Sequence, residues 1–120
     1  MEENFTVDPK DAQDNKLMGI LAYLGILVLV PIFAAKESPF ARFHANQGLI
    51  LLIASIALYV VVAILAAIFL AVSYALAALT SILYLLVWLG ILVFIILGII
   101  NAAKGEMKEL PIIGKFRIIK

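Results

Sequence analysis

From Phe43 to Ala103 the chain runs 61 residues without a single Asp, Glu, Lys or Arg. As helix, that stretch would measure ~90 Å, about three times the ~30 Å hydrocarbon core of a bilayer. A soluble helical bundle of 120 residues would need charged outer faces on every helix. The gap in charge therefore identifies an integral membrane protein. Overall composition agrees: 66% of residues are hydrophobic and 14% charged, against roughly 45–50% and about 25% in soluble domains.

What is missing narrows the chemistry. There is no cysteine, which excludes disulfides, cysteine-held zinc, iron–sulfur clusters and thiol nucleophiles. A single histidine cannot build a multi-histidine metal site. The net charge of +1 supplies no basic field for nucleic acid, so none is expected as a partner. No serine–histidine–acid set and no carboxylate pair at membrane depth appears, so no enzyme and no cofactor is expected. The opening "MEENFTVDPKDAQDNK" is acidic and polar, unlike the basic start of a signal peptide.

The chain divides into a mobile acidic tail over 1–16, a membrane domain over 17–103 and a basic amphipathic tail over 104–120. Three apolar runs predict an all-α bundle of three transmembrane helices, at about 17–33, 46–72 and 81–100. The first is bracketed by Lys16 and Lys36 as interfacial anchors, with Pro31 near its end. Ser38 before Pro39 reads as an N-cap, so the second helix begins in the polar hairpin. The turn between the second and third helices falls in "SYALAALT", with Thr80 or Ser81 as cap, unless helix 2 overruns it. The last segment alternates Lys and Arg with Ile, Phe and Leu. That pattern predicts an interfacial tail with Lys115, Arg117 and Lys120 reaching anionic headgroups.

With three spans, the hairpin and the C-terminus share a side and carry seven basic residues, against Lys10 and Lys16 on the other. The positive-inside rule then puts hairpin and C-terminus in the cytoplasm and the N-terminus outside, in a multi-pass protein of the cell membrane.

"SPFARFHANQG" holds the only histidine beside Arg42, Asn46 and Gln47. Helix 2 enters the membrane there and helix 3 leaves on the same side at Asn101. Phe40, Arg42, Phe43, His44, Gln47, Gly48 and Asn101 are thus expected to form one polar cluster, with His44 or Gln47 within reach of Asn101. Two readings stand. The cluster locks the helix junction, or it lines a pore mouth or binds a headgroup or a partner helix. Ala63, Ala67 and Ala71 form a small-residue stripe, as do Gly98 and Ala102. Packing within the monomer is the expectation for both, with homo-oligomerisation as the alternative. Tyr74, Tyr84 and Trp88 suggest an aromatic belt toward the outer face.

"LAYLGILVLVPIF", "ESPFARFHANQGLIL" and "LGIINAAKGEMKELPIIGKFRI" together resemble a small bacterial and archaeal membrane-protein family of unknown function. That family is related to the chloroplast import component Tic-twenty, and the magnetosome membrane protein MamF groups with it. The likeness covers about Lys16 to Ile118. It is sharpest at Phe40, Arg42, Phe43, His44, Gln47 and Gly48, and at Asn101, Gly105, Pro111 and Gly114. It implies a few-helix membrane bundle. The leading functional reading is a non-catalytic accessory, scaffold or oligomeric component, with a homo-oligomer or another membrane protein as partner. A channel, transporter or protein-translocation subunit is the alternative, against which the spans hold no ionisable midplane residue. A holin-like pore is the third.

Overall fold

The computed structural model describes residues 6–119. Its elements are α1 (Pro9–Asp14), α2 (Lys16–Leu21), a 3₁₀ turn (Gly25–Val28), α3 (Leu29–Ala34), α4 (Pro39–Val72) and α5 (Tyr74–Ala103). Among the described residues all regular structure is helical, and α4 and α5 are long and apolar enough to cross a membrane.

Local chemistry sets where these two helices begin and end. Ser38 caps α4, its hydroxyl oxygen accepting from the Ala41 N–H at 3.0 Å, and Pro39 takes the first helical position. At the far end one residue makes the whole turn. The Ser73 N–H donates to the Phe69 carbonyl at 2.9 Å and closes α4, while its hydroxyl accepts from the Leu76 N–H at 3.1 Å and opens α5. The turn is therefore at Ser73 and not near Thr80, whose hydroxyl donates back to the Ala77 carbonyl inside α5. At 34 and 30 residues, the helices reach ~51 and ~45 Å. They form an antiparallel pair in a molecule 57 Å long and 29 by 21 Å across. α5 closes in a full Schellman motif: Gly105 at φ +71 lets the Glu106 N–H reach the Asn101 carbonyl and the Gly105 N–H reach that of Ala102.

The first apolar run is not one continuous helix. α2 stops at Leu21, Gly25 adopts φ +63, and the chain returns through α3. Left-handed backbone suits glycine alone without penalty, so Gly25 is where the run can double back. Pro31 sits in the first turn of α3, where its missing N–H has no helical acceptor to lose. The two ends of the run meet as a consequence. The Ser38 hydroxyl donates to the Asp11 carboxylate at 2.6 Å, and the Phe40 N–H donates to its other oxygen at 3.0 Å. A straight helix over 17–33 would hold those ends ~25 Å apart. The arrangement thus differs from three straight helices with the N-terminal segment at the far end: α1 lies at the same end as the α3–α4 loop and the C-terminal segment.

The acidic N-terminal stretch carries a short helix of its own. Residues 1–5 lie outside the described residues, but Pro9–Asp14 is a helix whose Asp8 cap accepts from the Lys10 N–H at 3.0 Å. Asp11 places its negative charge at the positive N-terminus of α4. Asp11→Ala should cost about 2 kcal/mol, the range for hydrogen bonds to a charged group. Unfolding in mild detergent, with faster tryptic cleavage at Lys10 and Lys16, is the readout. Unchanged cleavage would mean that α1 is held by other contacts.

The core sits at this charged end. Tyr23, Val28, Phe40, Ala45, Leu51, Ala102 and Leu110 are buried together, whereas the distal halves of α4 and α5 expose Ile, Leu and Val almost all round. Apolar side chains facing outward over such a length have hydrocarbon as their natural solvent.

Candidate functional site

The polar cluster lies at the base of α4, where a helical face carrying His44, Asn46 and Gln47 is fully buried. Its partner is the backbone of the segment after α5. Gln47 Nε2 donates to the Gly114 carbonyl at 2.8 Å, and Gln47 Oε1 accepts from the Leu110 N–H at 2.9 Å. Asn46 Nδ2 donates to the Phe116 carbonyl at 2.8 Å, while its Oδ1 accepts from Ile118 at 2.6 Å and Ile119 at 2.9 Å. Two amide side chains thus hold five backbone groups of one segment.

His44 completes the row. Its Nε2 lies 2.8 Å from the Glu106 carbonyl and its Nδ1 2.7 Å from the Tyr23 hydroxyl. A carbonyl only accepts, so Nε2 carries the proton and Nδ1 accepts from the tyrosine. This is the neutral ring with both nitrogens engaged. Phe40, Phe43 and Tyr23 surround it edge-on at centroid distances of 4.6, 5.2 and 5.5 Å. No lone pair is left for a substrate proton, so the cluster acts as a hydrogen-bonded clamp between α2, α4 and the C-terminal segment.

Three small residues let the elements approach. Gly48 lies against the Ala22 backbone, Gly19 against Phe40, His44 and Ala102, and Gly98 under the Tyr23 ring. The Gly98 and Ala102 stripe thus seats α2 within the monomer. Ala63, Ala67 and Ala71 do not pack that way: all three are exposed on the outer face of α4.

Asn101 joins the site only through its backbone carbonyl, and the expected contact of His44 or Gln47 with its side chain is replaced by the bonds to 106, 110 and 114. Arg42 donates to the Lys36 carbonyl at 3.3 Å. Arg117, expected at the lipid surface, turns inward: it pairs with Glu109, donates to the Gly114 and Phe116 carbonyls, and lies 5.8 Å over the Phe43 ring. Lys115 stays exposed beside Phe116, and Lys120 lies outside the described residues. Lys108, ion-paired with Glu106 at 2.9 Å, holds that half-buried residue's carboxyl below the usual range. An open cleft of about 310 Å³ runs between Arg42, Phe43, Met107, Arg117 and Ile119. Tyr74 is exposed at the far end and Trp88 along α5, while Tyr84 stacks on Tyr59 at 6.2 Å.

Sequence reasoning left Tyr23, Asp11 and the two-sided role of Asn46 out of the site. Asn46 beside Gln47 was the available signal, since two adjacent amides at the start of a span need partners. Among the described residues no group of three or more His, Asp or Glu side chains could hold a metal ion.

Comparison with known proteins bears on the same segments. The magnetosome protein MamF of Magnetospirillum gryphiswaldense is 39% identical over 54 residues, covering 42% of this chain and 49% of that protein. MamF of Paramagnetospirillum magneticum is 49% identical over 35 residues, 29% of this chain and 32% of that protein. The matched segments span half or less of each relative's length. No solved structure matches. The family model described as the magnetosome magnetite crystal formation protein family matches residues 14–118. The chain belongs to that family.

Proposed function

We propose that this protein is a non-catalytic accessory or scaffold component of a magnetosome-type membrane. In this reading it is inserted as a two-span hairpin with its clamped base in the cytoplasm. The distribution of charge carries the reading. With α1, the α3–α4 loop and the C-terminal segment at one end, all eight basic and all six acidic side chains among the described residues lie there, and Ser73 to Ala103 has none. A bias of eight to none among the described residues is a stronger positive-inside argument than the seven-to-two of a three-span arrangement. Lys36, Lys104, Lys108 and Lys115 are exposed around this base, where anionic headgroups would meet them, and the cleft between Arg42 and Arg117 suits an acidic headgroup with its apolar stem. The outward Ala63, Ala67 and Ala71 stripe would admit a second helix at close range, from another copy or another membrane protein. The family match supports the MamF side of the sequence resemblance and adds nothing to the import-component side.

Single cysteines at Thr6, Ser73 and Lys108 test the topology. In intact cells an impermeant thiol reagent should label position 73 alone. Opposite labelling of positions 6 and 108 would restore an odd number of crossings. For the role itself, the chain expressed in a magnetite-forming bacterium should fractionate with magnetosome membranes. Photocrosslinkers on the exposed base should there capture a membrane-protein partner or a second copy. Recovery only in the cell membrane, without crosslinks, would overturn the accessory reading.

A further inference from the structure

We propose that the broken hairpin over residues 16–34 is a wedge that bends the membrane, by adding cross-section to one leaflet only. The inference rests on the two-span reading above. Lys16 and Lys36 bracket the hairpin and no charge lies between them, so both its ends belong at one headgroup layer. Its tip does not cross. Gly25 shares a cleft with Leu52, Ser55, Tyr59, Ile91 and Ile95. Those α4 positions lie 10–17 residues beyond Arg42, or ~15–25 Å, which is near the middle of a ~30 Å core.

The inward side of the hairpin is committed to protein. Ala22, Tyr23 and Val28 are buried, and Gly48 leaves room for the Ala22 carbonyl. Protein thus covers the backbone at Ala22, Tyr23 and Val28, and at the open tip the Leu24 and Leu27 N–H groups are bonded internally, to the Leu21 and Leu24 carbonyls, as backbone at membrane depth requires. The outward side is committed to hydrocarbon: Leu17 is 63% exposed, Ile26 68% and Phe33 67%, with Leu24, Leu27, Leu29 and Val30 also open. This face continues the exposed apolar surfaces of α4 and α5 and meets lysine only at its rim, which is the pattern of contact with acyl chains.

The consequence is geometric. The leaflet beside the charged base holds α2 and α3 as well as α4 and α5, and the other holds only α4 and α5. A helix ~10 Å wide occupies ~80 Å² in cross-section, so the two extra segments displace ~160 Å² of lipid from one leaflet. The base-side surface must become convex to accommodate them. If the base is cytoplasmic, this favours vesicles that lie inside the cell with their outer face toward the cytoplasm.

The test uses the full chain, made by cell-free synthesis onto preformed phospholipid vesicles, so that the charged base stays outside. Vesicle diameter is read by cryo-electron microscopy as the protein-to-lipid ratio rises. Mean diameter should fall about twofold, or tubules should form, as expected of an interfacial insertion sensitive to curvature. Cysteine labelling at positions 6, 73 and 108 on the same vesicles reads topology separately. Vesicles of unchanged size with two-span labelling would overturn the wedge and leave the topology standing. Labelling that placed positions 6 and 108 on opposite sides would overturn both. The variant Leu24→Gln, Ile26→Gln, Leu27→Gln should insert without shrinking the vesicles, and equal shrinkage would overturn the assignment to this hairpin. Should that variant fail to insert, Ile26→Trp in a Trp88→Phe background gives an independent reading. Its fluorescence should be quenched most by bromines deep in the acyl chains, and quenching at headgroup level would overturn the proposal.

Discussion

Gly48→Ala should unseat the broken hairpin and cost about 3 kcal/mol or more, at the upper end of the usual range for overpacking. A Cβ at position 48 would lie 1.7 Å from the Ala22 carbonyl oxygen and 2.6 Å from its carbon. Both are backbone atoms of a segment already pinned by Tyr23 on His44 and by Gly19 against Ala102. A flexible side chain could rotate aside, but this carbonyl cannot move without lifting α2 from α4. Gly90→Ala is the matched control. Nothing lies within 4 Å of the added methyl there, and replacing a helical glycine should gain up to ~1 kcal/mol of helix propensity. Detergent unfolding ranks the two, and proteolysis of the freed 16–34 segment shows what has moved. If both alanine variants behave alike, the close approach of Ala22 to Gly48 is not holding the hairpin.

The same contact explains what was legible in the sequence and what was not. The uncharged stretch, the Ser38–Pro39 start of α4 and the placing of a polar cluster at the base all follow from local chemistry. The first apolar run misled because a sum of hydropathy cannot distinguish a crossing from a return. Nineteen uncharged residues between two lysines look the same whether the lysines lie on opposite sides or on one. What decides it is Gly25 at φ +63 and the Asp11 bridge to Ser38, a local conformation and a contact 27 residues apart. Ser73 was passed over for Thr80 because both are cap-forming residues, and only the hydrogen bonds show which hydroxyl points at a free N–H. The partners of Asn46 and Gln47 were unreadable for another reason. They are backbone amides and carbonyls, which any sequence supplies, so side-chain complementarity with Asn101 was a misleading guide.

Gln47→Leu should release the C-terminal segment. The substitution strands the buried Leu110 N–H and removes one of the two donors to the Gly114 carbonyl, leaving it Arg117 alone. The orphaned N–H costs about 1–3 kcal/mol and the lost bond to Gly114 about 0.5–1.5 kcal/mol, so a loss of ~2–4 kcal/mol is expected. Space does not rescue the variant, because a Cβ at Gly114 would already be 2.6 Å from Gln47 Oε1. The segment is threaded through a gap fitted to the glutamine. Tryptic cleavage at Lys115 and Arg117 should then accelerate by tenfold or more, since 1.4 kcal/mol is a factor of ten. Arg117 should not compensate, because its bonds to Glu109 and Gly114 lie within the same segment and travel with it. Asn101→Leu should stay within about 0.5 kcal/mol of the parent, and the double variant should equal the sum of the two, as for sites that share no partner. A costly Asn101→Leu that couples to Gln47→Leu would mean that the two side chains meet, and that the amides of α4 clamp a helix end and not the backbone of the returning chain.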